Sequence, residues 1–233
     1  MMQELIAYVP ILTTIFAWFF FREIARHYQR RRTLYLLWWT LGVLTFGLGT
    51  LSESIHALFG WNVINMKFWY IVGALLGGFP LAQGSVFLLM PRKFGQVTSI
   101  LFVSFILVAS TFVILSPVTF PENFDYRLTG SIFGWQWVRY FSPLINLYAF
   151  IFLVGGAIYS AIQYYGKKDK RTHFIGNIWI AIGALLPGIG GSFTRFGYVE
   201  VLFITELVGL VAIYLGYRLI KQANIKFQKA SVQ

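Results

Sequence analysis

The sequence predicts an all-α integral membrane protein, a bundle of seven transmembrane helices with its N-terminus outside and its C-terminus in the cytoplasm. Three observations lead there. Of 233 residues, 58% are hydrophobic and only 12% charged, about half the charge of an ordinary globular domain. Several apolar runs reach the roughly 20 residues that a helix needs to cross a bilayer. Finally, 15 of the 19 Lys and Arg residues fall on one side of the alternating connections, which the positive-inside rule makes cytoplasmic.

Seven apolar segments can be drawn, near 5–22, 33–59, 68–90, 97–117, 141–165, 172–194 and 198–220, in a single membrane domain 1–233. Helices are expected because backbone facing lipid must satisfy its own hydrogen bonds, and no alternating barrel pattern occurs. The first segment lacks the basic start of a cleaved signal peptide and reads as a span. After it comes "FREIARHYQRRR", with five Arg. Arg92 and Lys93 separate the third and fourth segments, "GKKDKR" separates the fifth and sixth, and the tail from Arg218 carries four more cations. Only Lys67, Arg127, Arg139 and Arg195 fall on the other side. The tail after Ile220 reads as one further helical turn and a few disordered residues.

One connection is long, 118–140, and its Gly130, Gly134, Trp135, Trp137 and Tyr140 predict an outer loop anchored at headgroup level. Small residues mark close packing: Gly73 and Gly77 in the third segment, and Ala184, Gly188 and Ser192 in the sixth. Pro80 and Pro187 lie inside spans and should kink them.

The stretch "GTLSESIHALFG", residues 49–60, places Glu53 and His56 near the outer end of the second segment. Glu53 sits about six residues, roughly 9 Å, below that end. Glu206 sits about eight residues, roughly 12 Å, below the outer end of the seventh. Two acids on different helices thus share one depth, and no other acid lies clearly within a span. A charge facing lipid costs several kcal/mol, so both should point into the bundle. His56 could pair with Glu53, and Arg195 with Glu206 or Glu200, while Asn146 and Gln83 supply neutral partners. The expected site is therefore Glu53, His56, Glu206, Arg195, Asn146 and Gln83, open to the outer face and capped by the 118–140 loop. A buried network that only fixes packing is the plainer alternative.

Several chemistries are set aside. A retinal protein needs a Lys in its seventh helix, and none lies between Tyr198 and Arg218. A zinc hydrolase needs converging ligands, but His27 and His173 fall on the cytoplasmic side, far from His56. No Cys is present, which excludes disulfides and thiolate sites. No nucleophile motif supports an enzyme, no catalytic residue is assigned, and no cofactor is expected. The net charge of +11 is spread over short loops that meet anionic lipid headgroups, so nucleic acid is not an expected partner.

The stretch Trp38–Leu89 carries an aromatic-rich second segment ending near Glu53, a short loop, then "KFWYIVGALLGGFP" with Lys67, Trp69, Gly73 and Pro80. It resembles the seven-helix sensory region at the N-terminus of some bacterial histidine kinases and diguanylate cyclases. The resemblance covers about a quarter of the chain and, beyond that, topology. Here the chain stops at Gln233 with no kinase or cyclase domain. The resemblance implies a sensor of the prokaryotic inner membrane whose output is a separate cytoplasmic or membrane partner docking on the basic loops. The expected function is binding of a small or lipidic ligand from outside. The alternatives are a proton- or cation-coupled transporter or channel using Glu53 and Glu206, and a structural subunit of a larger membrane complex. The small-residue faces would also suit a homo-oligomer.

Overall fold

A computed structural model describes residues 6–120, 127–194 and 196–230. Seven long helices follow in order: α1 (Val9–Arg31), α2 (Leu34–Phe59), α3 (Val63–Leu89), α4 (Arg92–Leu115), α5 (Gln136–Tyr164), α6 (Arg171–Thr194) and α7 (Val199–Ala230). Among the described residues there is no β-strand, only one antiparallel bridge between Val118 and Phe133. Six helices, α2 to α7, are long and apolar enough to cross a membrane, which is the mark of an integral membrane protein. The helix α1 is not one of the six, because Arg22, Glu23 and Arg26 lie in its second half.

The chain starts and stops these helices with ordinary local chemistry. Pro10 opens α1, where a missing N–H costs nothing, and Arg32 ends it in a left-handed conformation, φ 50°. The Asn62 side chain caps α3 by accepting from the backbone N–H of Ile64 and Asn65, at 2.8 and 3.3 Å. At the far end of α4, Lys67 Nζ donates to the carbonyls of Ile114 and Ser116, at 2.7 and 2.8 Å. Those carbonyls have no intrahelical partner.

The two prolines behave differently. Ahead of Pro80, α3 widens into a π segment (Tyr70–Leu75), breaks at Gly77 and Gly78, and restarts at Phe79. Pro80 then occupies the first turn of the new segment, where it fits. Pro187 lies inside α6, which runs unbroken from Arg171 to Thr194. A second π segment, Phe150–Gly155, interrupts α5.

Helices α1, α2, α3, α5, α6 and α7 close a ring, and α4 packs outside it against α3 and α5. Neighbours in sequence run antiparallel. The connections α1–α2, α3–α4 and α5–α6 therefore gather at one end with the C-terminal part of α7, here the basic end. The connections α2–α3, α4–α5 and α6–α7 gather at the opposite end. The tightest seam joins α6 to α7 through Gly176, Gly183 and Gly190, facing Gly216, Gly209 and Leu202. The expected face of Ala184, Gly188 and Ser192 is not the seam: a side chain at Gly188 would meet nothing within 4 Å. These two helices meet every seventh residue, so the every-fourth stripe lies off their seam.

The 118–140 loop does more than anchor. Ile132 and Phe133 are fully buried, and the Phe133 ring meets Tyr70 edge-on at 4.9 Å. Gly134 N–H donates to the Pro117 carbonyl at 2.7 Å, closing the loop on itself. Among its described residues, the large apolar side chains that remain exposed are Phe120, Trp135, Trp137 and Tyr140. Residues 121–126, within the expected cap, lie outside the described residues. Finally, α7 continues to Ala230 rather than stopping one turn after Ile220.

Candidate functional site

Glu53 is held by two glycines. Gly49 and Glu53 lie one turn apart on α2; Trp69 and Gly73 lie one turn apart on α3. A side chain at Gly49 would touch the Gly73 Cα at 3.7 Å, so the two backbones approach there. One turn further on, Trp69 Nε1 donates to Glu53 Oε1 at 2.9 Å. Glu53 is 1% exposed. Its second oxygen, Oε2, is buried and receives no N–H or hydroxyl donor.

What faces Glu53 from α7 is another acid. The side chains of Glu53 and Glu206 lie within hydrogen-bonding reach of one another. Two carboxyl groups can bond directly only with a proton on one of them, since two carboxylates repel and neither can donate. One shared proton would leave the pair at most one negative charge. Around it, Thr14 of α1 bonds Thr50 at 3.0 Å and approaches Ser54 at 3.2 Å, while Ser52 donates to Asn65 at 2.8 Å. These neighbours are already occupied with each other.

The remaining expected residues disperse. His56 is half-buried, its Nδ1 has no hydrogen-bond partner, and it does not bond Glu53. The helical offset points it past the carboxyl, whose donor is an indole that sequence reasoning did not assign. Arg195 lies outside the described residues. Glu200, its other expected partner, is met instead by Arg127 at 3.8 Å. Gln83 belongs to a separate network nearer the basic end. There it donates to the Gly95 carbonyl at 2.8 Å and Ser99 at 2.9 Å, and accepts from Tyr148 at 2.6 Å. Asn146 is exposed on the outside of α5. Of six expected residues, the structure brings together Glu53 and Glu206, with His56 nearby.

Another acid joins the bundle outside the six apolar helices. Because α1 continues to Arg31, Glu23 lies on a helix and faces α7. Lys221 Nζ donates to its Oε1 at 3.0 Å and Tyr214 to its Oε2 at 2.9 Å. One turn on, His27 Nδ1 and the Tyr217 hydroxyl are 2.9 Å apart. The signal was present: Glu23 and His27 are four apart, as are Tyr217 and Lys221, and such pairs share a helix face. The surrounding arginines made the stretch read as a loop. Among the described residues, no group of three His or acidic side chains could hold a metal ion.

No protein family, no curated protein and no solved structure matches this chain.

Proposed function

We propose that this chain is a non-enzymatic, sensor-like protein of a prokaryotic inner membrane that takes a small or lipidic ligand at the Glu53–Glu206 pair and signals through a separate partner. In this reading α1 is a seventh span, the basic end is cytoplasmic, and the pair lies toward the outer leaflet. The charge distribution supports that orientation: the arginines that keep α1 out of the most apolar set are those gathered at the basic end.

The observation that carries the proposal is one contact, between the carboxyls of α2 and α7. A buried acid is ordinarily neutralised by a cation. This one meets a second acid and a single indole donor. A ligand bearing an ammonium or another strong donor would replace the shared proton and change how α2 sits against α7. From Glu206 the helix continues about 12 Å to Tyr214, which touches Glu23. A shift at one end would reach the other along one helix, and the basic loops offer an acidic partner a docking surface.

Glu23 favours a second reading, proton- or cation-coupled transport, since α7 meets an acid at each end. Native mass spectrometry of the gently purified protein, beside Glu53→Gln/Glu206→Gln, tests the first. A discrete bound mass lost in the double variant supports a ligand site. Apo protein in both, with liposome proton flux lost in the double variant, supports transport instead.

A further inference from the structure

At the basic end, the α1–α2 corner and the α3–α4 corner meet in an open groove of about 500 Å³. Its lining includes Arg32, Leu34 and Tyr35 from the first corner and Phe87, Met90 and Arg92 from the second. Two guanidinium groups thus reach one groove from separate connections, and no acid lines it. None is near in sequence either, since no Asp or Glu occurs between Glu23 and Glu53 or between Glu53 and Glu122.

Both arginines have donors to spare. Arg92 is exposed and makes no hydrogen bond or ion pair among the described residues. Arg32 is exposed too and lies over the Tyr28 ring at 5.8 Å. Of its hydrogen-bond donors only Nε is engaged, by the Gln29 carbonyl at 3.3 Å. Contrast Lys221 at the same end, which Glu23 neutralises at 3.0 Å. Like charges gathered without a counter-ion repel, so an anion seated between them gains from both. Arginine suits phosphate in particular, because its planar fork engages two oxygens at once.

The rest of the lining selects which phosphate. Leu34 and Met90 are 38% and 43% exposed, apolar surface that a free phosphate ion would leave in water. Position agrees. Helices α2 and α4 start at this groove and α3 ends there, and all three are long and apolar enough to cross a membrane. Their common end therefore lies at headgroup level.

We propose that this groove holds the phosphate of one anionic phospholipid between Arg32 and Arg92, with its glycerol and upper acyl chain over Leu34, Phe87 and Met90. A general attraction of basic loops for anionic membrane would assign no lipid to any one place. The groove and the Glu53–Glu206 pair occupy opposite ends, so the lipid site stands whether or not that pair takes a ligand.

The test is native mass spectrometry of the full chain, titrated with phosphatidylglycerol or with phosphatidylcholine of the same acyl chains. Wild type should take one phosphatidylglycerol about twentyfold more tightly than phosphatidylcholine, and Arg32→Gln/Arg92→Gln should lose most of that preference. Arg92→Gln alone should lose about fivefold. It changes an exposed residue with no protein partner, so it reads the site even if Arg32→Gln disturbs the α1–α2 corner. Lys167→Gln/Lys168→Gln removes as much charge at the same end, outside the groove, and should leave the preference unchanged. Equal losses in the two double variants, which mark diffuse surface charge, would overturn the proposal. So would equal binding of the two lipids by wild type, which would leave the groove to an acidic peptide. Displacement of phosphatidylglycerol by millimolar inorganic phosphate would overturn it as well, by marking a site for the soluble ion.

Discussion

The two ends of α7 handle an acid in opposite ways. At the basic end, Glu23 is met by Lys221 and Tyr214, and both its oxygens have donors. At the other end, Glu53 and Glu206 meet each other, and one indole serves the pair. The first arrangement is complete without a ligand, so its chemistry is stability. The second has few donors, one indole for two acids. The contrast separates an acid with a full set of donors from a pair without one.

The largest effect should come from breaking the complete end. Lys221→Met strands Glu23 and should destabilise the fold by about 2 kcal/mol, measured as thermal unfolding in nanodiscs. Glu23→Gln added to it should restore most of the loss. If Lys221→Met is neutral, the ion pair is not structural and the comparison collapses. Next, Trp69→Phe removes the indole donor to Glu53 and should cost about 1–2 kcal/mol. Glu53→Gln should cost less than about 1 kcal/mol, because the amide oxygen still accepts from Trp69 and the amide N–H can donate to Glu206. A loss as large as that of Lys221→Met would make the two ends equivalent.

The smallest effect concerns pH. Burial, then the Lys221 and Arg31 charges, hold His27 below the ordinary histidine value of 6.5, against an opposing pull from Glu23. The unfolded chain therefore binds the proton more readily, and stability should fall as pH drops from 6.5 through the folded value. His27→Gln should flatten that slope, as read from unfolding between pH 7 and pH 5.

That Glu53 and Glu206 share one level of the bundle was legible in the sequence, and the direction of each was not. Apolar runs set the register of each helix against its neighbours. Which way each points depends on the Gly49–Gly73 approach and the α6–α7 seam, which does not run through Gly188. Gln83 and Asn146 illustrate the same limit: polar residues in spans at suitable depth, one bonded into another network and one facing outward. Glu23 was hidden for a different reason. Five arginines surround it, and charge density reads as loop even where the helix continues to Arg31. Pro80 and Pro187 were indistinguishable as kinks, and only the Gly77–Gly78 pair beside Pro80 lets the chain break there.

The central claim is that Glu53 and Glu206 share one proton while Glu23 does not. Infrared spectroscopy of the protonated carboxyl C=O stretch, at neutral pH in nanodiscs, reads this directly. The account predicts one such band in wild type, lost in Glu53→Gln/Glu206→Gln and unchanged in Glu23→Gln. No protonated carboxyl band in wild type, or one that survives the double substitution, would contradict it.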